Sequence, residues 1–130
     1  DRPGARVHMV ESNTRKCAFL RTAIRETGAP AEVHQGRIAD VLAAWTAPTE
    51  LITARALAAL HELVAMTAPL IGQGCRAAFM KGADYRAEIA EASQRFALDL
   101  VIHPSRVAEG SVILEVRRAA AKPDGPKARR

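Results

Sequence analysis

Three charged residues stand where short apolar segments of the sequence end. Glu11, Arg55 and Lys81 each come directly after such a segment. If these segments are parallel strands, their carboxyl ends meet at one edge of a sheet, where open α/β sheets bind their ligands. We therefore expect the three side chains to share one rim. Strands also end in charged residues simply because they reach the surface, and the spacing alone leaves both interpretations open.

Glu11 has a type and position that suit binding of a nucleoside. A carboxylate only accepts hydrogen bonds, and a ribose diol offers two donors. In Rossmann-type domains, an acid at the end of the second strand takes this role, about 20 residues after a glycine-rich turn. Counting back from Glu11 passes Asp1 before that turn is reached. The start, Asp1–Gly4, resembles neither a signal peptide nor an initiation site, so we expect a preceding segment that carries the first strand and its turn.

The cysteines and histidines give weaker signals. Cys17 and Cys75 lie in apolar, periodic segments without ligand spacing around them, which predicts reduced core thiols and no metal site. We do not predict a histidine-based mechanism, because no histidine has an evident partner in the sequence. His8 and His61 fall within elements, where a structural or exposed role is expected, and His34 and His103 fall at strand ends.

Apolar periodicity predicts alternating strands and helices. The first helix follows three candidate caps, Ser12, Asn13 and Thr14, and ends at Gly28. The predicted strands are Arg6–Glu11, Ala31–Gln35, Leu51–Ala54, Cys75–Met80, Leu98–His103 and Ser111–Arg117, and the predicted helices lie around Cys17–Ile24, Ile38–Trp45, Leu60–Leu70 and Tyr85–Phe96, the last one capped by Asp84.

The last two strands indicate the fold class. Their connection, Pro104–Gly110, is about seven residues long, which is too short for a parallel crossover and suits an antiparallel pair. The chain is therefore expected to form an α/β, Rossmann-like sheet with an antiparallel finish. This ending is typical of class I methyltransferases with a seven-stranded sheet, whereas other nucleotide-binding α/β domains do not need it.

Length and charge set further limits. The chain has 130 residues, enough for one domain at most, and lacks an apolar run of transmembrane length. The chain has 19 basic and 14 acidic residues. Six of the basic residues and one of the acidic residues lie from Arg117 onward, so the part before Arg117 carries 13 of each. We expect a domain at residues 1–118 and a basic, disordered tail at 119–130, which either binds a polyanion or only aids solubility. The cysteine content suggests the cytoplasm.

Several segments resemble one family closely. Val7–Ser12 (VHMVES) and Arg15–Leu20 (RKCAFL) are similar to the second strand and following helix of the bacterial 16S ribosomal RNA guanine-N7 methyltransferases, also called glucose-inhibited division protein B. The resemblance covers about residues 3–118 and includes a basic extension after the last strand. It continues through Gly36–Ile38 (GRI), Ile52–Ala56 (ITARA) and Phe79–Gly82 (FMKG), leading to Glu88.

The resemblance implies methyl transfer from S-adenosylmethionine to the position-seven nitrogen of a guanine in 16S ribosomal RNA. The partner would be that RNA or the small ribosomal subunit, with no metal, no membrane and a monomeric enzyme. Arg55 and Lys81 would be the catalytic residues. The cofactor would contact Glu11, Ser12, Arg37, Ile38, Ala39 and Arg55, and the RNA would contact Arg15, Lys16, Lys81, Arg117 and Arg118.

The sequence departs from the family at its beginning. It has no amino-terminal helical region, no first strand and no glycine-rich turn before Glu11, and in this fold the first strand lies between the second and the fourth. Its absence leaves unpaired strand edges. We therefore expect these residues alone to be inactive, and we hypothesise that Val7–Val10 pairs directly with Leu51–Ala54 to close the gap.

Three other interpretations remain open. A different Rossmann enzyme, such as part of a dehydrogenase, would share only the ribose-binding acid, and the terminal hairpin and the ITARA segment argue against it. A non-catalytic RNA-binding module would use the basic tail and the face of Arg15 and Lys16. A truncated product without function is the third. Steep salt dependence of RNA binding, lost on deletion of residues 118–130, would favour the RNA-binding module.

Overall fold

The computed structural model describes residues 4–55, 58–106 and 109–123. The chain divides into two compact units, unit 1 at Asp1–Thr46 and unit 2 at Ala47–Arg130, where the sequence had suggested one domain. No helix in the described ranges is long and apolar enough to span a membrane.

Unit 1 is a parallel strand pair with two helices. Glu11 lies opposite Gln35 at the carboxyl ends of the two strands, and the backbone N–H of Gly36 donates to the carbonyl of Glu11 over 3.0 Å. Because the strands are parallel, a crossover connection must join them, and here it is formed by a helix. The elements are β1 (Val7–Glu11), α1 (Thr14–Thr27), β2 (Ala31–Gln35) and α2 (Ile38–Ala43).

Helix α1 has well-defined ends and one buried anchor. Among the three candidate caps, Asn13 is the N-cap, and its side chain accepts from the backbone N–H of Lys16 over 2.9 Å. Gly28 ends the helix in the left-handed region with φ of 69°, which only glycine adopts without strain. Cys17 is fully buried, and Phe19 on the same helix is 70% exposed. The helix therefore buries little of its own apolar surface among the described residues.

Unit 2 is a four-stranded sheet with two helices. Its strand order is β3-β4-β6-β5; β3 and β4 are parallel, and the remaining neighbours are antiparallel. The antiparallel finish predicted from the short final connection is confirmed. The elements are β3 (Leu51–Arg55), α3 (Leu60–Ile71), β4 (Arg76–Lys81), α4 (Tyr85–Ser93), β5 (Phe96–Pro104) and β6 (Val112–Ala121).

The core of unit 2 lies between helix α3 and the sheet. Phe79 of β4 pairs in register with Leu114 of β6, and both side chains are fully buried. Helix α3 contributes Leu60 and Val64, also fully buried, on one face of the helix. Burial of each such side chain contributes about 2 kcal/mol relative to exposure. This packing holds the carboxyl end of β4 in place.

Strand β6 carries one extra residue relative to β5. Asp99 lies opposite Arg118 while Leu100 lies opposite Val116, so Arg117 has no partner in the register. Up to this β-bulge the inward positions of β6 include Leu114 and Val116; beyond it Ala119 packs against the core. Arg117 and Arg118 are consequently both exposed.

Some sequence predictions are wrong in detail. Phe96 begins β5 and is not on α4, because its segment alternates with period two along the β5–β6 pair. Asp84 occupies the N-cap position of α4, as predicted, but its side chain makes no capping hydrogen bond. The sheet extends beyond the expected boundary at 118, since Ala119–Ala121 pair with β5; residues 124–130 of the expected tail lie outside the described ranges.

The hypothesis that β1 pairs with β3 is also wrong. Among the described strands, β1 pairs with β2 and β3 pairs with β4, in two separate sheets. The parallel partner of each strand is the next strand in sequence, across one helix, as in ordinary β-α-β units. Val7 of β1 and Leu51 of β3 are 55% and 56% exposed, as expected for strands at sheet edges.

Candidate functional site

The carboxyl end of β1 holds Glu11 in a fixed position. Its Oε2 accepts from the backbone N–H of Asn13 over 2.9 Å, and its carbonyl accepts from Gly36 N–H and from the Cys17 thiol. The side chain is half-buried. Among the described residues, Oε1 has no hydrogen-bond donor. The carboxylate is thus oriented by the backbone and keeps an acceptor for a ligand.

The turn from β2 into α2 begins at Gly36, whose N–H donates to the backbone carbonyl of Glu11. Arg37 is the N-cap of α2 and is exposed, Ile38 is half-buried and Ala39 is exposed. The turn is tight, because a Cβ on Gly36 would lie 3.2 Å from Val41 Cγ2. Ser12, directly after Glu11, is exposed as well. Unit 1 therefore contains all of the residues that were expected to contact a cofactor except Arg55, which belongs to unit 2.

Unit 2 brings Arg55 and Lys81 to one edge of its sheet. Arg55 is the last residue of β3 and pairs in register with Met80, so Lys81 follows directly on the neighbouring strand. Arg55 is exposed. Glu11 belongs to unit 1, so the predicted rim is divided between the two units.

Lys81 does not face solvent. Its side chain is 6% exposed, its Nζ lies 2.8 Å from Glu88 Oε1, and it donates to the carbonyl of Ala58. The same Glu88 oxygen accepts from the backbone N–H of Leu60 over 2.9 Å. Lys81 thus connects β4 to the starts of α3 and α4, and contact with RNA would require it to leave these partners.

The other cations that were predicted to contact RNA are exposed, and they belong to different units. Arg15 and Lys16 occupy the first turn of α1 in unit 1, and Arg118 lies on β6 in unit 2. Arg117 is engaged: its Nε donates to Glu115 Oε2 over 3.1 Å, which raises the pKa of Arg117.

Glu115 is the centre of a small surface network. Hydrogen bonds from His103 at 2.9 Å and from Arg117 lower the pKa of Glu115 to about 2, and the charge of Arg76 contributes. His103 was a histidine without an evident partner in the sequence. Its partner is 12 residues away, across the β5–β6 pair.

A histidine pair lies on the β1–β2 sheet and was missed by the sequence analysis. His8 Nδ1 and His34 Nε2 are 3.0 Å apart, and both rings contact Trp45 edge-on with centroids 5.0 Å away. Glu32 Oε2 lies 3.8 Å from His34 Nε2. Only the alternation Glu32-x-His34 hinted at this group, since the other histidine, His8, lies on a different strand.

Two further features carry no candidate reaction. Cys17 and Cys75 are free and buried, which confirms the prediction of reduced core thiols, and burial raises the pKa of Cys75. An open depression of about 600 Å³ in unit 2 is lined by Gly72, Gly74 and Asp99 among others. Gly74 precedes β4, so the depression lies at the opposite end of that strand from Arg55 and Lys81.

Comparison with solved structures identifies the fold. A methyltransferase from Geobacter sulfurreducens matches with a TM-score of 0.63 and 13% identity, over 87% of this chain and 58% of that one. An rRNA methylase from Streptococcus thermophilus matches with a TM-score of 0.60 and 10% identity, over 87% and 73%. The predicted class I methyltransferase fold with its antiparallel ending is confirmed.

Comparison with known sequences identifies the family. Residues 2–112 match the family model described as GidB, rRNA small subunit methyltransferase G. The ribosomal RNA small subunit methyltransferase G of Rhizobium etli is 51% identical over 115 residues, which cover 87% of this chain and 56% of that protein. The one from Bradyrhizobium sp. ORS 278 is 45% identical over 82% of this chain and 48% of that protein. The chain spans about half the length of these relatives, and it belongs to the family of rRNA small subunit methyltransferase G.

Proposed function

We propose that these residues form part of an S-adenosylmethionine-dependent methyltransferase that modifies the position-seven nitrogen of a guanine in 16S ribosomal RNA, in the cytoplasm. Family membership supports the reaction class. The observation that carries the proposal is the fixed carboxylate of Glu11, with Oε2 held by Asn13 N–H and Oε1 open, next to the turn at Gly36. A ribose diol could donate to such a carboxylate.

Each proposed cofactor contact follows from its place in unit 1. Glu11 would hold the ribose, and Ser12 would border it. Arg37, Ile38 and Ala39 would lie against the adenine, with the half-buried Ile38 giving the apolar contact. When bound, S-adenosylmethionine supplies an electrophilic methyl group. The residues of this chain orient the nucleoside end of that molecule.

The proposed reaction needs alignment more than acid–base catalysis. The position-seven nitrogen of guanine has an in-plane lone pair and no proton, so no general base must act before attack. Positioning the nucleophile in line with the methyl group supplies the rate enhancement. Exposed Arg55 could hold the guanine edge, which offers two acceptors to a guanidinium. Lys81, being ion-paired with Glu88, would position β4 beside Arg55.

The first experiment measures S-adenosylmethionine binding by calorimetry on two proteins. One is this chain, and the other is this chain joined to the upstream segment of its Rhizobium etli relative. We expect binding only by the joined protein, because backbone amides of a glycine-rich turn hold the charged end of such cofactors. Absence of binding in both proteins would count against the cofactor role of this chain.

Glu11→Ala in the joined protein tests the ribose contact. Loss of hydrogen bonds to a charged acceptor costs about 1.5–3 kcal/mol, so we expect roughly 10- to 150-fold weaker binding. Glu26→Ala is the matched control, since Glu26 is an exposed acid of α1 outside the site. Unchanged affinity in the Glu11 variant would refute its assignment.

Arg55→Ala in the joined protein tests the substrate contact. Methyl transfer to 16S ribosomal RNA should fall by about tenfold or more in kcat/KM, with cofactor affinity nearly unchanged. Arg76→Ala is the matched control, because Arg76 is an exposed arginine at the opposite end of a neighbouring strand. RNA that contains 7-deazaguanine lacks the nucleophile and should not be methylated. Methylation of that RNA would refute the position-seven assignment.

RNA binding without catalysis is the second candidate for these residues alone. Arg15 and Lys16 are exposed in the first turn of α1, where no partner among the described residues neutralises them. Binding that depends on such cations weakens steeply with salt. The tail deletion must begin at Lys122, not at residue 118, because strand β6 runs to Ala121. Salt-independent binding, or no binding, would exclude this module.

A further inference from the structure

We propose that His8, Glu32 and His34 form a binding site for one divalent transition-metal ion, with Zn²⁺ as the best fit. The three side chains lie on one face of the β1–β2 pair, where His8 is opposite Glu32 in register and His34 follows two residues later. One ligand atom from each lies within 4.8 Å of the other two. Two imidazoles and a carboxylate are ligands that Zn²⁺ accepts in catalytic and open sites.

The distances match those around a bound ion. Zinc–nitrogen bonds of about 2.0–2.1 Å in tetrahedral geometry place two ligand atoms about 3.3 Å apart. His8 Nδ1 and His34 Nε2 are 3.0 Å apart, and His34 Nε2 and Glu32 Oε2 are 3.8 Å apart. A slight separation of the two imidazole nitrogens and a rotation of the Glu32 carboxylate would place three ligand atoms at the corners of a tetrahedron around the ion. A water molecule would occupy the fourth corner.

The two rings are already held in place. Trp45 packs edge-on against both His8 and His34, at 80° to each ring, and His34 is half-buried. Ordering of free side chains costs about 1 kcal/mol each on binding, and this packing reduces that cost. Arg6 is the competing cation, because its guanidinium lies 3.7 Å from Glu32 Oε1. That contact uses the oxygen that the metal does not need.

Proton accounting is simple at this site. In the hydrogen-bonded pair, one imidazole donates to the other. For both nitrogens to bind the ion, the nitrogen that donates this hydrogen bond must lose its hydrogen. The same ring then carries one hydrogen on its other nitrogen, so it changes tautomer and stays neutral. Ligand binding by neutral imidazole favours Zn²⁺, Cu²⁺ and Ni²⁺ over Mg²⁺ or Ca²⁺, which prefer oxygen. The site would join β1 to β2 close to Glu11: the His8–Glu32 pair lies three register pairs before the Glu11–Gln35 pair, and His34 lies one pair before it.

Zn²⁺ titration of the whole chain, without an affinity tag, tests the proposal. Competition with a chromophoric chelator gives affinity and stoichiometry, and fluorescence of Trp45, the only tryptophan, reports binding at this place. We expect one ion per chain. Changes to groups that merely orient ligands cost about 10- to 100-fold in affinity, so His34→Ala should cost at least about 100-fold. The matched control is His103→Ala, which removes another histidine that contacts a carboxylate and should change nothing.

One further variant keeps the result interpretable if His34→Ala disturbs the fold. Glu32→Gln keeps the shape of the exposed side chain and should weaken binding by about tenfold or more, with an unchanged far-ultraviolet spectrum. Equal affinity in wild type, His34→Ala and Glu32→Gln would overturn the proposal. So would failure to find saturable binding below roughly 100 μM, which would leave only a hydrogen-bonded histidine pair.

Discussion

Removal of the Glu88 carboxylate should destabilise unit 2 more than removal of its cationic partner. Glu88→Ala leaves the ammonium of Lys81, 6% exposed, with only the carbonyl of Ala58, and it leaves Leu60 N–H without its acceptor. Breaking a fully buried pair in this way costs about 3–5 kcal/mol. Glu88 is 27% exposed, so water can partly replace it. We expect about 3 kcal/mol.

Lys81→Met should cost less, about 1–2 kcal/mol. The carboxylate that remains keeps Leu60 N–H and some contact with water, while the thioether chain refills the volume of the lysine stem. The double variant Lys81→Met/Glu88→Ala should be more stable than Glu88→Ala alone, because it contains no unpaired buried charge. Lys81→Met should thus lower the stability of the wild type but raise the stability of the Glu88→Ala variant. This reversal is expected only if the two side chains form a buried ion pair.

Urea unfolding followed by circular dichroism measures these differences in the free energy of unfolding. Thermal unfolding gives a second measure: a change of 1 kcal/mol shifts the Tm of a domain of this size by about 4–8 °C, so Glu88→Ala should lower the Tm by roughly 12–24 °C. Glu91→Ala is the matched control on the same helix, since its side chain is 54% exposed and its change should stay within about 0.5 kcal/mol. A Glu88→Ala loss below about 1 kcal/mol, or a double variant less stable than Glu88→Ala, would refute the reasoning.

Three further predictions concern single side chains. The pKa of Glu115 is lowered to about 2, so its stabilising effect is present above its ordinary value of 4.5 and is lost as the pH falls toward about 2; Glu115→Gln should reduce the loss of stability between these pH values, measured by urea unfolding at each pH. Asn13→Ala should cost about 1 kcal/mol in thermal unfolding through loss of the cap on α1, whereas the exposed neighbour Ser12→Ala should change little; equal effects would contradict the assignment. Burial raises the pKa of Cys75, so its thiol should react slowly with a disulfide reagent at neutral pH until urea unfolds the chain, and rapid reaction in the folded protein would contradict its buried position.

Local pattern in the sequence was sufficient for most elements. Short apolar runs predicted β1 and β2 closely, and the final hairpin followed from a connection too short for a crossover. Tyr85, Ile89 and Ala92 correctly indicated α4, but Phe96 also fits the helical spacing and belongs to β5. Residues four apart lie on the same face in a helix and also in a strand, so the spacing of Ala92 and Phe96 fits both. Only pairing with β6 decides between them.

The candidate site was predictable only where one segment supplies it. Glu11 followed from its place after an apolar run, and its orientation by Asn13 N–H could not be read from sequence because it depends on a turn geometry. The burial of Lys81 was missed, since its partner Glu88 lies on another element. The pair His8 and His34 was missed for the same reason: 26 residues separate two rings that the strand register brings to 3.0 Å.

The β-bulge at Arg117 allows two adjacent arginines in a strand whose inner face is core. In an unbroken alternation after Leu114 and Val116, the next inward position would be Arg118, and a guanidinium would be carried toward the apolar interior. The extra residue moves that position to Ala119, whose methyl group fits there. The inward and outward positions of the strand therefore alternate in one phase before Arg117 and in the opposite phase after it. Deletion of either arginine would restore a single alternation and keep Ala119 inward. Deletion of one residue between Val112 and Val116 would instead turn core side chains outward.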